Sequence, residues 1–325
     1  LLKQENGKNN IMAKNTPLTD VELKILYHKP PELNYAYQKA ISYSQFSVYA
    51  TCPHQWYNSY ILNLNPYSNS IHTLFGTAMH ETLQNYLNVM FDQSAVYADH
   101  TINLEEWFQN KFIELYQSHY DKTKEHISDA VQMREFFEDG KAILEWFKKK
   151  RIKYFSKKGC KLVGIELPLL VNVSNNIFLK GFIDIVIYDV DLDKIYIYDI
   201  KTSTRGWSDR EKKDELKVAQ ILLYKEFFAK QYNIDVEKIE VEFFIVKRKI
   251  FKTDDFVIPR IQQFKPASGK SKRRKAVDKL ELFAQDCFDS LGKPIEKQYI
   301  KNVGEKSCKW CPYANTIHCD QIASS

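Results

Sequence analysis

The strongest constraint on the fold is a run of alternating strands between residues 161 and 202. It reads KLVGIELPLLVNV, a turn at SNN, IFLKGFIDIVIYDV, a turn near DLD, and KIYIYDIKT. β-Branched and aromatic residues dominate these segments, and short turn signals bound them, so the stretch reads as a three-stranded meander. Asp184, Asp199 and Lys201 stand among residues that favour burial. With a two-residue turn at Asp191 and Leu192, Val190 pairs with Asp193 and the register carries Asp184 directly opposite Asp199. A three-residue turn moves the pairing by one position. Asp199 and Lys201 are two apart and share a face by strand alternation. Two carboxylates at cross-strand distance repel each other unless a cation lies between them, and an oxygen-rich site of this kind suits Mg2+ or Mn2+. Spacing alone leaves open a plainer arrangement, a surface Asp199–Lys201 pair at the end of a hairpin with Asp184 solvated.

The flanking sequence supplies helices. In SYSQFSVYATCPHQWYNSY, residues 42 to 60, Ser44 is a candidate cap for a short helix. Apolar residues then recur at three-to-four spacing over about 73–91, 104–120 and 129–155. After the meander come a helix over about 209–231, a strand IEVEFFIVKR, a loop carrying the basic run KSKRRK, a helix from about Ala276 to Leu291, and a cysteine-rich tail. There is no internal repeat and no low-complexity linker. Residues 42–325 therefore read as one α/β domain: a helical part (42–160), a core (161–260), and a C-terminal helix with a cysteine motif (261–325). Residues 1–41 read as an extension, with Met12 a candidate start and Leu1 to Ile11 an expression remnant.

At 325 residues, 44% hydrophobic and 27% charged, the chain can bury a full core. No window approaches the ~20 apolar residues of a membrane span, and the polar N-terminus lacks the apolar centre of a secretory signal. A soluble cytoplasmic protein without a membrane partner is expected. A net charge of +6 permits a polyanionic partner without demanding one. Cys160 and Cys287 stand alone, whereas Cys308, Cys311 and Cys319 crowd into CKWCPYANTIHC, and Cys52 opens a Cys-Pro pair near the other end. In a reducing compartment such a cluster points to metal binding more than to disulfides.

IELPL around Glu166, GFID ending at Asp184, and YDIKTS with Asp199 and Lys201 resemble the PD-(D/E)XK nuclease superfamily, in particular its RecB-like exonuclease branch. FGTAMHE with His80, AQILLY with Gln220 and Tyr224, and SQFSVYATCP with Cys52 resemble further motifs of that branch, in the same order. The resemblance implies a restriction-endonuclease-like core, a mixed central sheet flanked by helices. It implies that Asp184, Asp199 and the backbone carbonyl of Ile200 hold a divalent metal, with His80 as a further ligand, and that Lys201 serves the attacking water. Glu166 would bind a second metal or organise the site, and Gln220 and Tyr224 would brace it or touch the strand being cut.

A subset of the branch holds a [4Fe-4S] cluster with one cysteine before the core and three after it. Cys52, Cys308, Cys311 and Cys319 are laid out in that manner, with a longer last gap than is usual. A structural Zn2+ is the alternative, with His54 or His318 able to replace one thiolate. The implied activity is metal-dependent DNA cleavage, by an exonuclease acting on single-stranded DNA or free ends in repair, recombination or phage replication. KSKRRK, the KRK at 247–249 and exposed aromatics are the candidate DNA contacts. No GxxxxGK[ST] is present, so unwinding would fall to a helicase or recombination partner. The competing expectation is a DNA-binding or recombination partner that uses a nuclease fold as scaffold.

Overall fold

The computed structural model describes residues 17–64, 69–155, 158–251 and 257–319; Met12 and the remnant Leu1 to Ile11 lie outside them. The elements run α1 (Asp20–Leu26), β1 (Lys39–Ile41), α2 (Tyr43–Thr51), α3 (Pro53–Trp56), α4 (Ile71–Asp92), α5 (Ala95–Thr101), α6 (Leu104–Thr123), α7 (Ala130–Tyr154). The sheet-forming part follows: β2 (Cys160–Ser174), β3 (Ile177–Asp189), β4 (Lys194–Ser203), α8 (Asp209–Lys212), α9 (Glu215–Tyr232), β5 (Ile239–Lys247), β6 (Ile261–Phe264), α10 (Lys270–Cys287) and α11 (Glu305–Cys308). No helix of the described residues is long and apolar enough to cross a membrane.

Local chemistry sets the helix starts. Ser42, Ser70, Asn103, Asp129 and Asp214 each accept from a backbone N–H in the first turn of α2, α4, α6, α7 and α9. The cap of α2 is thus Ser42 and not Ser44. Pro53 at the first turn of α3 breaks the expected 42–60 helix, so the segment becomes α2, α3 and a π turn over Tyr57–Ile61. A larger correction concerns KSKRRK, which forms the first turns of α10 and is not a loop. Arg273, Ala276, Leu280, Ala284 and Cys287 make one buried helical stripe, in which Arg273 ion-pairs Glu226 and Glu237 at 2.8 and 3.1 Å. A buried, paired arginine reads in sequence as a solvated charge, and so the helix is expected six residues too late.

The described strands form a mixed sheet in the order β1-β3-β4-β5-β6, with β2 on the other edge of β3. β3–β4 and β5–β6 are antiparallel, whereas α9 crosses over to make β4–β5 parallel. The loop between β3 and β4 is four residues, Val190 to Asp193, rather than two; Asp193 turns it in a left-handed conformation. Asp189 pairs with Lys194 and Ile185 with Tyr198, so the register still carries Asp184 opposite Asp199. β1, which falls in the segment read as an extension, pairs with Ile177–Leu179 of β3, and β4 takes the same edge only from Ile185 onward. β3 therefore forks at Asp184.

The two faces of the sheet carry separate cores. One packs Ile195, Ile197, Phe243 and Ile245 against Phe46 of α2, Ile221 to Tyr224 of α9 and Leu280 and Phe283 of α10. The other packs Ile200, Phe244 and Val246 against α4, α6 and α7 through Met79, Phe108 and Phe147. Buried on both sides, β4 and β5 read as nearly continuous apolar runs. Helix α4 lies close to β4 because Gly76 faces Thr202, where an added Cβ would sit 3.0 Å from the threonine hydroxyl oxygen. Gly76→Val is expected to cost about 1–3 kcal/mol of stability by overpacking this seam. Thr202→Ala in the same chain should recover part of it in denaturant unfolding; no recovery would place the strain elsewhere.

Candidate active site

Asp184 ends the shared edge of β3, and its carboxylate takes the backbone N–H of Ile200 at 2.6 Å. The strand ladder stops there because a side chain has replaced a carbonyl as acceptor. Asp199 lies in the interior, 1% exposed. Its buried Oδ2 is 2.8 Å from Lys201 Nζ but has no well-aligned donor. Burial pushes the Asp184 carboxyl well above its ordinary pKa, and the nearby Asp199 adds to the rise; Lys201 and the Ile200 N–H oppose it. Burial likewise raises Asp199, with Lys201 working against the shift. Burial disfavours the charge on Lys201, but Asp199 and Asp184 outweigh it and hold the ammonium above its usual range. Two carboxyl groups are thus held in the interior with one cation beside them, and full ionisation of the pair is disfavoured until a divalent ion offsets the charge.

Helix α4 brings His80 to the fork, with Nδ1 3.7 Å from Asp184 Oδ2. Burial and then Lys201 lower its pKa to about 4, against a hydrogen bond to the backbone of Ile200. The imidazole is neutral at physiological pH, as a metal ligand must be. The orphaned Asp199 oxygen, the Asp184 carboxylate, the Ile200 backbone and a neutral His80 make an oxygen-rich donor set that fits Mg2+ or Mn2+.

Glu166 belongs to the same site through a residue that sequence inspection overlooked. Its neighbours Ile165 and Leu167 pair with Ile185 and Ile183, which sets Glu166 across from Asp184. Its own backbone is left-handed, with φ of 49°, a strain of about 1–2 kcal/mol for a residue with a side chain. Gln84 Nε2 donates to Glu166 Oε1 at 2.7 Å and to the Asp184 carbonyl at 3.3 Å. Gln84 follows His80 by four positions and so shares its helix face, the one signal that could have found it. From α9, Gln220 Oε1 accepts from Lys201 Nζ at 2.9 Å, and its amide donates to the Tyr224 hydroxyl at 3.0 Å. Tyr224 in turn lies against Gly181, where a Cβ would be 3.3 Å from the ring. Gln220 and Tyr224 therefore orient the lysine.

Residues 40–316 match the family model of the PD-(D/E)XK nuclease superfamily. The chain belongs to that superfamily. Among curated proteins no significant match is found. Membership carries phosphodiester hydrolysis of nucleic acid as the chemistry, on a fold whose members typically use Mg2+ or Mn2+.

The four outlying cysteines meet at a second place. Cys52, Cys308, Cys311 and Cys319 line one small pocket between the α2–α3 junction and the C-terminal tail of this PD-(D/E)XK protein. Backbone groups turn toward the sulfurs: Asn302 N–H donates to Cys52 Sγ at 3.4 Å, and the backbones of Tyr313 and Ala314 bond the sulfur of Cys311. His54 lines the same pocket, yet its Nε2 is taken up by the His318 carbonyl at 2.9 Å and by Asn58 at 3.3 Å. The donor set present is four thiols, which fits either an iron–sulfur cluster or tetrahedral zinc. Cys160 lies at the start of β2 and Cys287 in the buried stripe of α10; neither lines the pocket.

The basic runs serve packing more than expected. Besides the buried Arg273, Arg274 pairs with Asp278 and Lys275 with Glu215. Arg248 pairs with Glu135 and Asp139 and stacks 4.0 Å over Phe136, and Lys249 shares both carboxylates. Neither run is a free cationic strip.

The raised pKa of Asp184 has a consequence for stability. A folded chain that keeps a proton the unfolded chain has released loses stability as pH rises past the ordinary aspartate value of about 3.9. In EDTA at pH 7, Asp184→Asn is expected to melt above the parent, the difference closing toward pH 4, and only the parent should gain from added Mn2+. Equal melting at pH 7 would show that the carboxylate pair carries no strain.

Proposed function

We propose that this chain is a metal-dependent DNA nuclease of the RecB-like branch, acting as an exonuclease on single-stranded DNA or free ends. The observation that carries the reading is the convergence of Asp184, Asp199, Lys201 and His80 on one point at the fork of β3. When bound there, a Mg2+ or Mn2+ ion supplies Lewis acidity toward the scissile phosphate and makes water more acidic. Asp184, Asp199 and the Ile200 carbonyl hold and orient the ion, and neutral His80 completes its surroundings from α4. Lys201, fixed between Asp199 and Gln220, offsets charge that builds on the phosphorus oxygens and keeps the attacking water in line. Glu166, tethered by Gln84, directs a carboxylate at the same space, where it organises water or a second ion. A chain that kept the fold as a scaffold alone would have no use for three interior charges that oppose its own stability. The processing of ends suits repair, recombination or phage replication, with a helicase or recombination protein as partner.

End-labelled single- and double-stranded DNA incubated with Mg2+, Mn2+ or EDTA tests the reading. Shortening from the ends with either ion and none in EDTA is expected. Asp199→Ala and Lys201→Ala should each lower the rate by roughly 10^2 to 10^4 with the fold retained, since each removes a chemical part and little packed volume. A near-parental rate for either variant would refute the assignment. His80→Ala should raise the Mn2+ concentration for half-maximal rate more than it weakens DNA binding; an unchanged midpoint would reduce His80 to packing.

For the cysteine pocket we propose a [4Fe-4S] cluster, supported by the four thiols and the backbone donors aimed at them. Protein purified without oxygen is then expected to be brown and to hold about four irons per chain. One zinc per chain would support the tetrahedral alternative, and Cys308→Ser or Cys311→Ser should lower the melting temperature in either case. A metal-free protein of full stability would leave the pocket without a cofactor.

A further inference from the structure

Beyond the cleavage centre, the same face of the sheet carries a second cationic feature. In the parallel β4–β5 ladder, Lys201 is registered with Ile245 and Ser203 with Lys247. Side chains in register share a face, so Lys247 stands on the face of Asp199 and Lys201, one strand over and two residues nearer the strand ends. Strand geometry sets its Cα about 8 Å from that of Lys201. Its backbone N–H donates to the Arg260 carbonyl at 2.8 Å, which makes Arg260 its cross-strand neighbour. Like charges set directly across a ladder destabilise it. Among the described residues Lys247 has no carboxylate partner, and the acid nearest in effect to Arg260, Asp139, is already held by Arg248 and Lys249. Burial and the Arg260 charge both lower the pKa of Lys247, as expected of a half-buried ammonium without a counter-ion among the described residues.

The lysine stem is also held in place. Gly206, at φ of 91°, passes so close that a Cβ there would lie 2.9 Å from Lys247 Cδ. The guanidinium of Arg260 is tied by Nη1 to the Arg248 carbonyl at 2.6 Å. Two cations thus neighbour each other at the strand ends beyond Lys201, without an acid held between them among the described residues.

We propose that Lys247, with Arg260 beside it, grips the phosphate adjoining the scissile one and so sets the register of the strand over Lys201. This rests on the nuclease reading for its meaning, but its test does not need cleavage. Fluorescence anisotropy with labelled oligo-dT in EDTA, across a salt series, reads the contact directly. Loss of one phosphate contact on a single strand should reduce the slope of log K against log salt by about 0.7, and at 50 mM salt weaken binding about five- to tenfold. Lys247→Ala is expected to show both changes with an unaltered melting temperature, and Lys247→Arg to restore them. Lys150→Ala, on the exposed side of α7, is the control and should match the parent. In cleavage assays the alanine variant should raise KM far more than it lowers kcat.

Parental affinity and slope for Lys247→Ala would overturn the proposal whether or not the chain cuts DNA. A lost slope increment in a protein that cuts nothing with either ion would keep the phosphate grip and refute the nuclease reading. A fall in melting temperature that Lys247→Arg does not repair would assign the lysine to packing and likewise overturn it.

Discussion

The structure is organised around the cost of keeping two carboxylates in its interior. Asp199 is almost wholly buried and Asp184 stands opposite it at the point where β3 changes partners. Such a pair holds only where opposing charge and donors are brought to it. Lys201 and the Ile200 N–H come from the same strand as Asp199, His80 and Gln84 from α4, and Gln220 from α9. The two helical layers thus do more than cover a sheet. Each delivers polar side chains through an otherwise apolar face, and the near contact of Gly76 with Thr202 brings α4 close enough to do so.

Much of this was legible in the sequence because alternation fixes faces. The register that opposes Asp184 and Asp199 survives a loop of different length, since a two-residue turn and a four-residue loop centred on the same pair give the same pairing. The cysteines were legible because thiols are rare and their clustering stands out. What escaped were residues whose role depends on what lies across the fold. Gln84 looks like any helical glutamine until Glu166 is placed beside it. Arg273 looks like part of a solvated basic run until Glu226 and Glu237 close around it. The short β1 carries no pattern of its own; it is a strand because three residues of β3 offer an unpaired edge.

The same reasoning separates charge from function. Arg248 and Lys249 belong to a network with α7, whereas Lys247, next to them in sequence, faces the other side of the sheet with no acid partner among the described residues. The strand ends at Lys247 and the two cations after it turn to α7, so that of the three only Lys247 lies in the layer shared with Asp199 and Lys201.

The cysteine pocket has a consequence for the chain as a polymer. It joins the stretch after α2 to the tail, where His54 and His318, 264 positions apart, already share a hydrogen bond. A group that holds thiols from both stretches turns a linear chain into a ring enclosing nearly every strand and helix described here. Closing a long ring restricts the unfolded ensemble far more than the folded one, and the restriction grows only slowly with ring size. The benefit of such a group would therefore be global although the contacts are local. Loss of the central group would leave the sheet and its carboxylates untouched in place while enlarging the space the chain gains on opening, so that damage at one end of the molecule would be felt as shorter lifetime throughout.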